Sequence, residues 1–104
     1  MAVTPFDRRK AYQREVQALR LRAAAALDRG ASLEQVARAL VDARNALKQR
    51  YRALDDPAIV ALMEARNLAK YGNVIGPTAD ALLARYGSWG EVIEAACRPA
   101  RLVD

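Results

Sequence analysis

The sequence predicts an all-α fold: a small helical bundle in which a long antiparallel helical hairpin is followed by three shorter helices. Three observations carry this expectation. Large apolar residues recur at steps of three and four, the period of one buried helical face. Capping residues and glycine or proline stops punctuate the chain at helix-length intervals. No segment reads as a strand. The 104 residues suit one domain, read as 1–104, and are too few for two. Apolar residues make up 53% of the chain, but 23 of them are alanine, so the core is of modest size.

The first helix is announced by Thr4-Pro5-Phe6-Asp7: Thr4 can cap, Pro5 suits the first helical position, and Asp7 places negative charge in the first turn. Tyr12, Val16, Leu19, Ala23 and Leu27 then form one face, and Gly30 offers a left-handed stop, giving a helix over about Pro5 to Arg29. Ser32-Leu33-Glu34-Gln35 is a capping box opening the second helix. Leu33, Val36, Leu40, Ala43, Leu47, Tyr51 and Leu54 continue its stripe. The short link between the two makes residues 5–54 an antiparallel hairpin. Asp56-Pro57 starts a third helix whose apolar side is Ile59, Leu62, Met63 and Ala69, and Gly72 ends it. After the loop Gly72–Pro77, Thr78 caps a fourth helix carrying Leu82, Leu83 and Tyr86, which Gly87 stops. Ser88-Trp89-Gly90-Glu91 reads as a second capping box opening a fifth helix with Val92, Ile93 and Ala96. Arg98-Pro99 ends that helix, and the last five residues are expected to fray. Residues 57–98 thus supply three short helices packed on the hairpin.

Composition excludes several classes of function. No stretch approaches the 18 apolar residues of a membrane-spanning helix, and Met1–Phe6 lacks the pattern of a signal peptide. Cys97 is the single cysteine and reads as a small buried residue rather than a nucleophile. There is no histidine, which removes Ser-His and Cys-His pairs and most zinc sites; no cofactor or metal is expected. Carboxylates are sparse: Asp55-Asp56 reads as a helix cap, Glu91 as part of its box, and no catalytic constellation emerges. The net charge of +5 is uneven: residues 1–54 carry 12 Lys/Arg against 5 Asp/Glu, and residues 55–104 carry 5 against 7. A basic half suits an anionic partner such as nucleic acid, an acidic protein or a lipid surface.

Four patterns single out candidate contact residues. Ala43-Arg44-Asn45-Ala46-Leu47-Lys48 is nearly repeated as Ala65-Arg66-Asn67-Leu68-Ala69-Lys70, each copy placing Arg and Lys four apart on one helix face beside an amide. Such a trio can grip phosphates or read a base edge, or be a solvated face that recurs by chance. Lys70-Tyr71-Gly72-Asn73 and Arg85-Tyr86-Gly87-Ser88 end two helices alike. This is ordinary helix termination, or else Tyr71, Tyr86 and Trp89 face one pocket and stack a ring. The loop Gly72–Thr78 leads into a helix N-terminus, where backbone amides can bind an anion. Arg8, Arg9, Lys10, Arg14, Arg38, Arg44, Lys48 and Arg52 form a basic face on the hairpin, with Glu15 and Asp42 as light interruptions. The binding set read from these patterns is Arg44, Asn45, Lys48, Arg66, Asn67, Lys70, Tyr71 and Asn73.

Residues 65–73, Ile75-Gly76-Pro77-Thr78, Tyr86–Trp89 and Ile93–Ala96 resemble helical C-terminal segments of bacterial polymorphic toxins, the long secreted proteins with Rhs-type or filamentous repeats. The likeness covers roughly residues 33–98. It implies a toxin-side module delivered into a competing cell's cytoplasm, acting on nucleic acid or a nucleotide and neutralised by a cognate immunity protein, expected to be acidic. Many nuclease toxins of that kind rely on histidine and this chain has none, so the resemblance carries over no catalytic set. Two other readings stand beside it: a non-enzymatic, cytoplasmic nucleic-acid-binding protein that uses the basic hairpin, and a helical interaction module acting as adaptor or inhibitor. The alanine-rich first helix also offers a flat face for a homodimer.

Overall fold

The computed structural model describes residues 5–98, with side chains from Asp7 onward. Five helices follow one another: α1 (Pro5–Asp28), α2 (Leu33–Arg52), α3 (Pro57–Tyr71), α4 (Ala79–Tyr86) and α5 (Trp89–Cys97). No strand occurs among the described residues, and no helix among them is long and apolar enough to cross a membrane. The expected Thr4 cap, the Pro99 stop and the fraying of the last five residues lie outside the described residues.

Local chemistry sets the helix ends. α1 stops in a two-bond Schellman turn, Gly30 N–H donating to Leu27 O and Ala31 N–H to Ala26 O, with Gly30 at φ 95°. Ser32 and Gln35 exchange both bonds of the capping box at α2. Asp56 accepts from Ala58 N–H at α3, and Thr78 accepts from Ala81 N–H at α4. At α5 only half of the expected box forms: Ser88 Oγ accepts from Glu91 N–H, and Glu91 returns no bond.

The core lies along α2, which packs on α1 and α5 with similarly extensive interfaces and more lightly on α4. Val16, Leu19 and Ala23 of α1 meet a buried face of α2 that is wider than the heptad stripe, because Ala37 and Val41 are buried as well as Val36, Leu40 and Leu47. Two neighbours on different sides of one helix require that width. Ala79, Val92 and Ala96 complete the cluster. Tyr12 and Tyr51 meet edge to face at 5.2 Å between centroids, fixing the open end of the hairpin.

Two packing expectations are corrected. Leu33 and Leu54, at the ends of the α2 stripe, are exposed. The third helix does not pack into the bundle: no residue of α3 is buried, and Leu62 is 72% exposed. α2 is packed by α1 and α5 instead, and α3 makes only slight contact with any other helix. α3 stands off from the hairpin and forms one wall of a cleft.

Candidate functional site

The cleft has a volume of about 730 Å³ and three walls. Arg8, Arg9, Tyr12 and Gln13 contribute from the start of α1; Arg44, Lys48, Tyr51 and Arg52 come from the second half of α2. Met63, Arg66, Asn67, Lys70 and Tyr71 of α3 face them at helical spacing, and Ile75, Gly76 and Pro77 of the connecting loop close one end. Seven cationic side chains thus converge against a single carboxylate, Asp55, which is itself paired to Arg8 at 2.8 Å. No group of His, Cys, Asp and Glu among the described residues could hold a metal ion.

Several of these cations are partly occupied in holding the cleft open. Arg52 donates to Val74 O at 2.9 Å and Ile75 O at 2.8 Å. Asn67 donates to the same carbonyls at 3.1 and 3.4 Å, so α2 and α3 clamp the loop from opposite sides. Arg44 donates through Nη1 to Ala96 O at the end of α5. Its Nε, like that of Arg8, is buried with no hydrogen-bond partner. Arg9, Lys48, Arg66 and Lys70 make no ion pair.

Lys48 is the electrostatic centre. It sits mostly buried between Arg44 and Arg52, one turn away on either side, and no carboxylate balances it. Burial first, then repulsion by those two guanidinium groups, pushes its ammonium down to about 8 from the ordinary lysine value of 10.5. A site that resists its own positive charge has a standing demand for an anion. Gly76 makes the close approach possible: at φ +144°, a Cβ there would lie 3.2 Å from Lys48 Nζ. Gly76→Ala is therefore expected to lose about 1–2 kcal/mol through backbone strain and to displace the ammonium. A thermal melt paired with an anion titration would reveal both.

A smaller cavity of about 240 Å³ adjoins the cleft, sharing Arg44, Lys48, Tyr71 and Pro77 with it. Asn45, Leu82, Arg85 and Tyr86 are among its other walls.

Of the sequence-derived binding set, Arg44, Lys48, Arg66, Asn67, Lys70 and Tyr71 line the cleft, and Asn45 lines the smaller cavity. Asn73 lines neither; its side chain accepts from Ile75 N–H at 2.9 Å and shapes the loop. With that amide taken and two carbonyls clamped, the stretch 74–75 is not an amide nest. Trp89 does not join Tyr71 and Tyr86, because it lies 4.9 Å from the Arg38 guanidinium. Arg38 leaves the expected basic face as well, paired to Glu34 and Asp80. Glu15 is more than a light interruption: it accepts from Tyr51 at 2.6 Å and Arg50 at 2.7 Å. The Tyr51 hydrogen bond, followed by Arg50, holds its carboxyl below the usual range. Burial pushes the Cys97 thiol up, away from the thiolate form a nucleophile needs.

Outside the binding set, Arg8, Arg9 and Arg52 also line the cleft. Arg52 carried a signal, the row with Arg44 and Lys48 at steps of four. Arg8 and Arg9 carried one too, as members of the basic face expected on the antiparallel hairpin.

Among known proteins, no family model, no curated protein and no solved structure matches the chain. What the cleft can do is read from its own chemistry.

Proposed function

We propose that this chain is a nucleic-acid-directed effector domain whose cleft grips the phosphate backbone of a single strand. The observation that carries the reading is Lys48, unpaired and half-sunk between Arg44 and Arg52 at the floor of a cleft with one carboxylate. Arg66 and Lys70 supply free charge from the facing wall, and Tyr71 supplies an aromatic surface. Charge along a groove combined with aromatic rings is the chemistry of single-strand binding. The resemblance to toxin C-terminal segments supplies the biological setting: delivery into a competing cell, and an acidic immunity protein that covers the same charge.

Fluorescence anisotropy with labelled single-stranded RNA and DNA tests the binding. The four cleft cations with neither an ion pair nor a hydrogen bond among the described residues, Arg9, Lys48, Arg66 and Lys70, predict that log affinity falls with log salt at a slope of about −3. Arg66→Ala should make that slope shallower by about 0.7. A flat salt response overturns the reading. Inducible expression in bacteria tests the setting: growth should slow with the parent chain and recover with Arg66→Ala and with Tyr71→Ala, which removes the ring. Normal growth combined with salt-dependent binding would leave a non-enzymatic nucleic-acid-binding protein.

The bare apolar residues of α3 favour a second reading. Ile59, Leu62 and Leu68 are each more than half exposed, and apolar side chains left bare on one helix suit a protein partner. An interaction module of that kind would bind one protein and no strand.

A further inference from the structure

The smaller cavity mixes polar and apolar walls in about equal measure, with Arg44, Asn45, Lys48 and Arg85 on its polar side. Val41, Leu82, Pro77, Tyr71 and Tyr86 give it apolar and ring-bearing walls. At about 240 Å³ it lies below the roughly 300–1,000 Å³ of pockets for drug-sized ligands, so its capacity suits one flat ring system. It shares Lys48, Arg44, Tyr71 and Pro77 with the cleft, and Arg44 Nε is a buried donor without an acceptor. Asn45 lines it too, with its amide nitrogen on Pro77 O at 3.5 Å and its amide oxygen accepting no bond. The guanidinium groups of Arg85 and Arg98 lie 5.5 and 5.7 Å from the centre of the Tyr86 ring, steadying it and keeping the surroundings cationic. Among the described residues, no carboxylate lines the cavity.

Anion-seeking groups shared with the cleft, next to a ring-sized space with apolar and aromatic walls, match the two halves of a nucleotide. We infer that the smaller cavity is a base slot: one nucleotide of a bound strand seats its base among Leu82, Pro77, Tyr71 and Tyr86, with its phosphate at Lys48 and Arg44. The inference rests on the reading of the cleft as a phosphate-backbone site and adds a specific place for one base. Tyr71 and Tyr86 offer ring surfaces for stacking and Leu82 and Pro77 apolar contact, while the Asn45 amide oxygen offers an acceptor to the base edge. The remaining nucleotides lie along Arg66 and Lys70, held by charge alone.

Anisotropy with two single strands of equal length and charge separates the two claims, one an oligothymidylate and the other its abasic deoxyribose-phosphate counterpart. With the unaltered protein, the thymidylate strand should bind about tenfold more tightly than the abasic one. In Tyr86→Leu, and in Leu82→Trp, which fills the slot, that preference should shrink below about twofold while abasic binding stays as it was. Equal binding of the two strands by the unaltered protein overturns the slot and leaves the backbone site standing. A preference that survives both variants places stacking elsewhere in the cleft and also overturns it. If neither strand binds, the backbone reading falls, and the slot with it. Circular dichroism melts of both variants establish that each is folded, and the comparison of strands on the unaltered protein needs no variant.

Discussion

Lys48→Met should make the protein more stable and a poorer binder at the same time. Below pH 8 the folded chain carries a proton on Lys48 that burial, Arg44 and Arg52 all oppose, whereas the unfolded chain holds it at no cost up to about 10.5. Each pKa unit corresponds to about 1.4 kcal/mol, and because the side chain keeps some solvent, the expected gain at neutral pH is about 2 kcal/mol. For a domain of this size that is a melting temperature roughly 10 °C higher. The pH dependence has a defined sign. Between about pH 8 and 10.5 the unfolded state binds more protons at this position, so the unaltered protein gains stability as pH rises. The advantage of Lys48→Met should therefore fade across that window, as urea melts at neutral and alkaline pH would show. Strand affinity of the unaltered protein should move the other way, falling on the order of tenfold between pH 7 and pH 9 as the ammonium loses its charge. A variant that is no more stable than its parent, or that binds equally well, would remove Lys48 from the centre of the site.

Leu40→Ala and Leu62→Ala should differ by nearly the whole range seen for such truncations. Leu40 is 4% exposed on the side of α2 that holds the core together, and removing its side chain leaves a cavity costing about 3 kcal/mol. Leu62 occupies a similar helical pattern but is 72% exposed on α3, so its loss should change stability by no more than about 0.5 kcal/mol. Chemical denaturation of the two variants measures both. Equal losses would mean that α3 is packed into the bundle in solution, and the cleft between it and the hairpin would then close.

That contrast shows where the sequence was legible. Ser32-Leu33-Glu34-Gln35, Asp56-Pro57 and the glycines at 30, 72 and 87 act within a few residues of themselves, and each helix begins or ends there. The Val16, Leu19 and Ala23 face was legible for the same reason, since a helix of known period shows its buried side. The α3 stripe of Ile59, Leu62 and Met63 has the same periodic look and is not buried. Periodicity says that a helix has an apolar side, and nothing about whether a neighbour reaches it.

The site divides along the same line. Arg44 and Lys48, and Arg66 and Lys70, share a face within their own helices at spacings visible in the chain. That the two pairs line one cleft follows from α3 standing off from a hairpin that packs with α5 instead. The asparagines beside them matched in the repeat but not in space: Asn67 clamps the loop while Asn45 lines the neighbouring cavity. Arg8 arrives from some 40 positions away because an antiparallel hairpin returns the start of α1 to the end of α2. By itself, then, the sequence determined the five helices, their ends, the hairpin and the cationic surplus, all set by interactions between near neighbours. Only the tertiary structure decided which apolar face stays bare, which cations converge, and that Lys48 has no counter-charge among the described residues, because those outcomes depend on contacts between residues far apart in the chain.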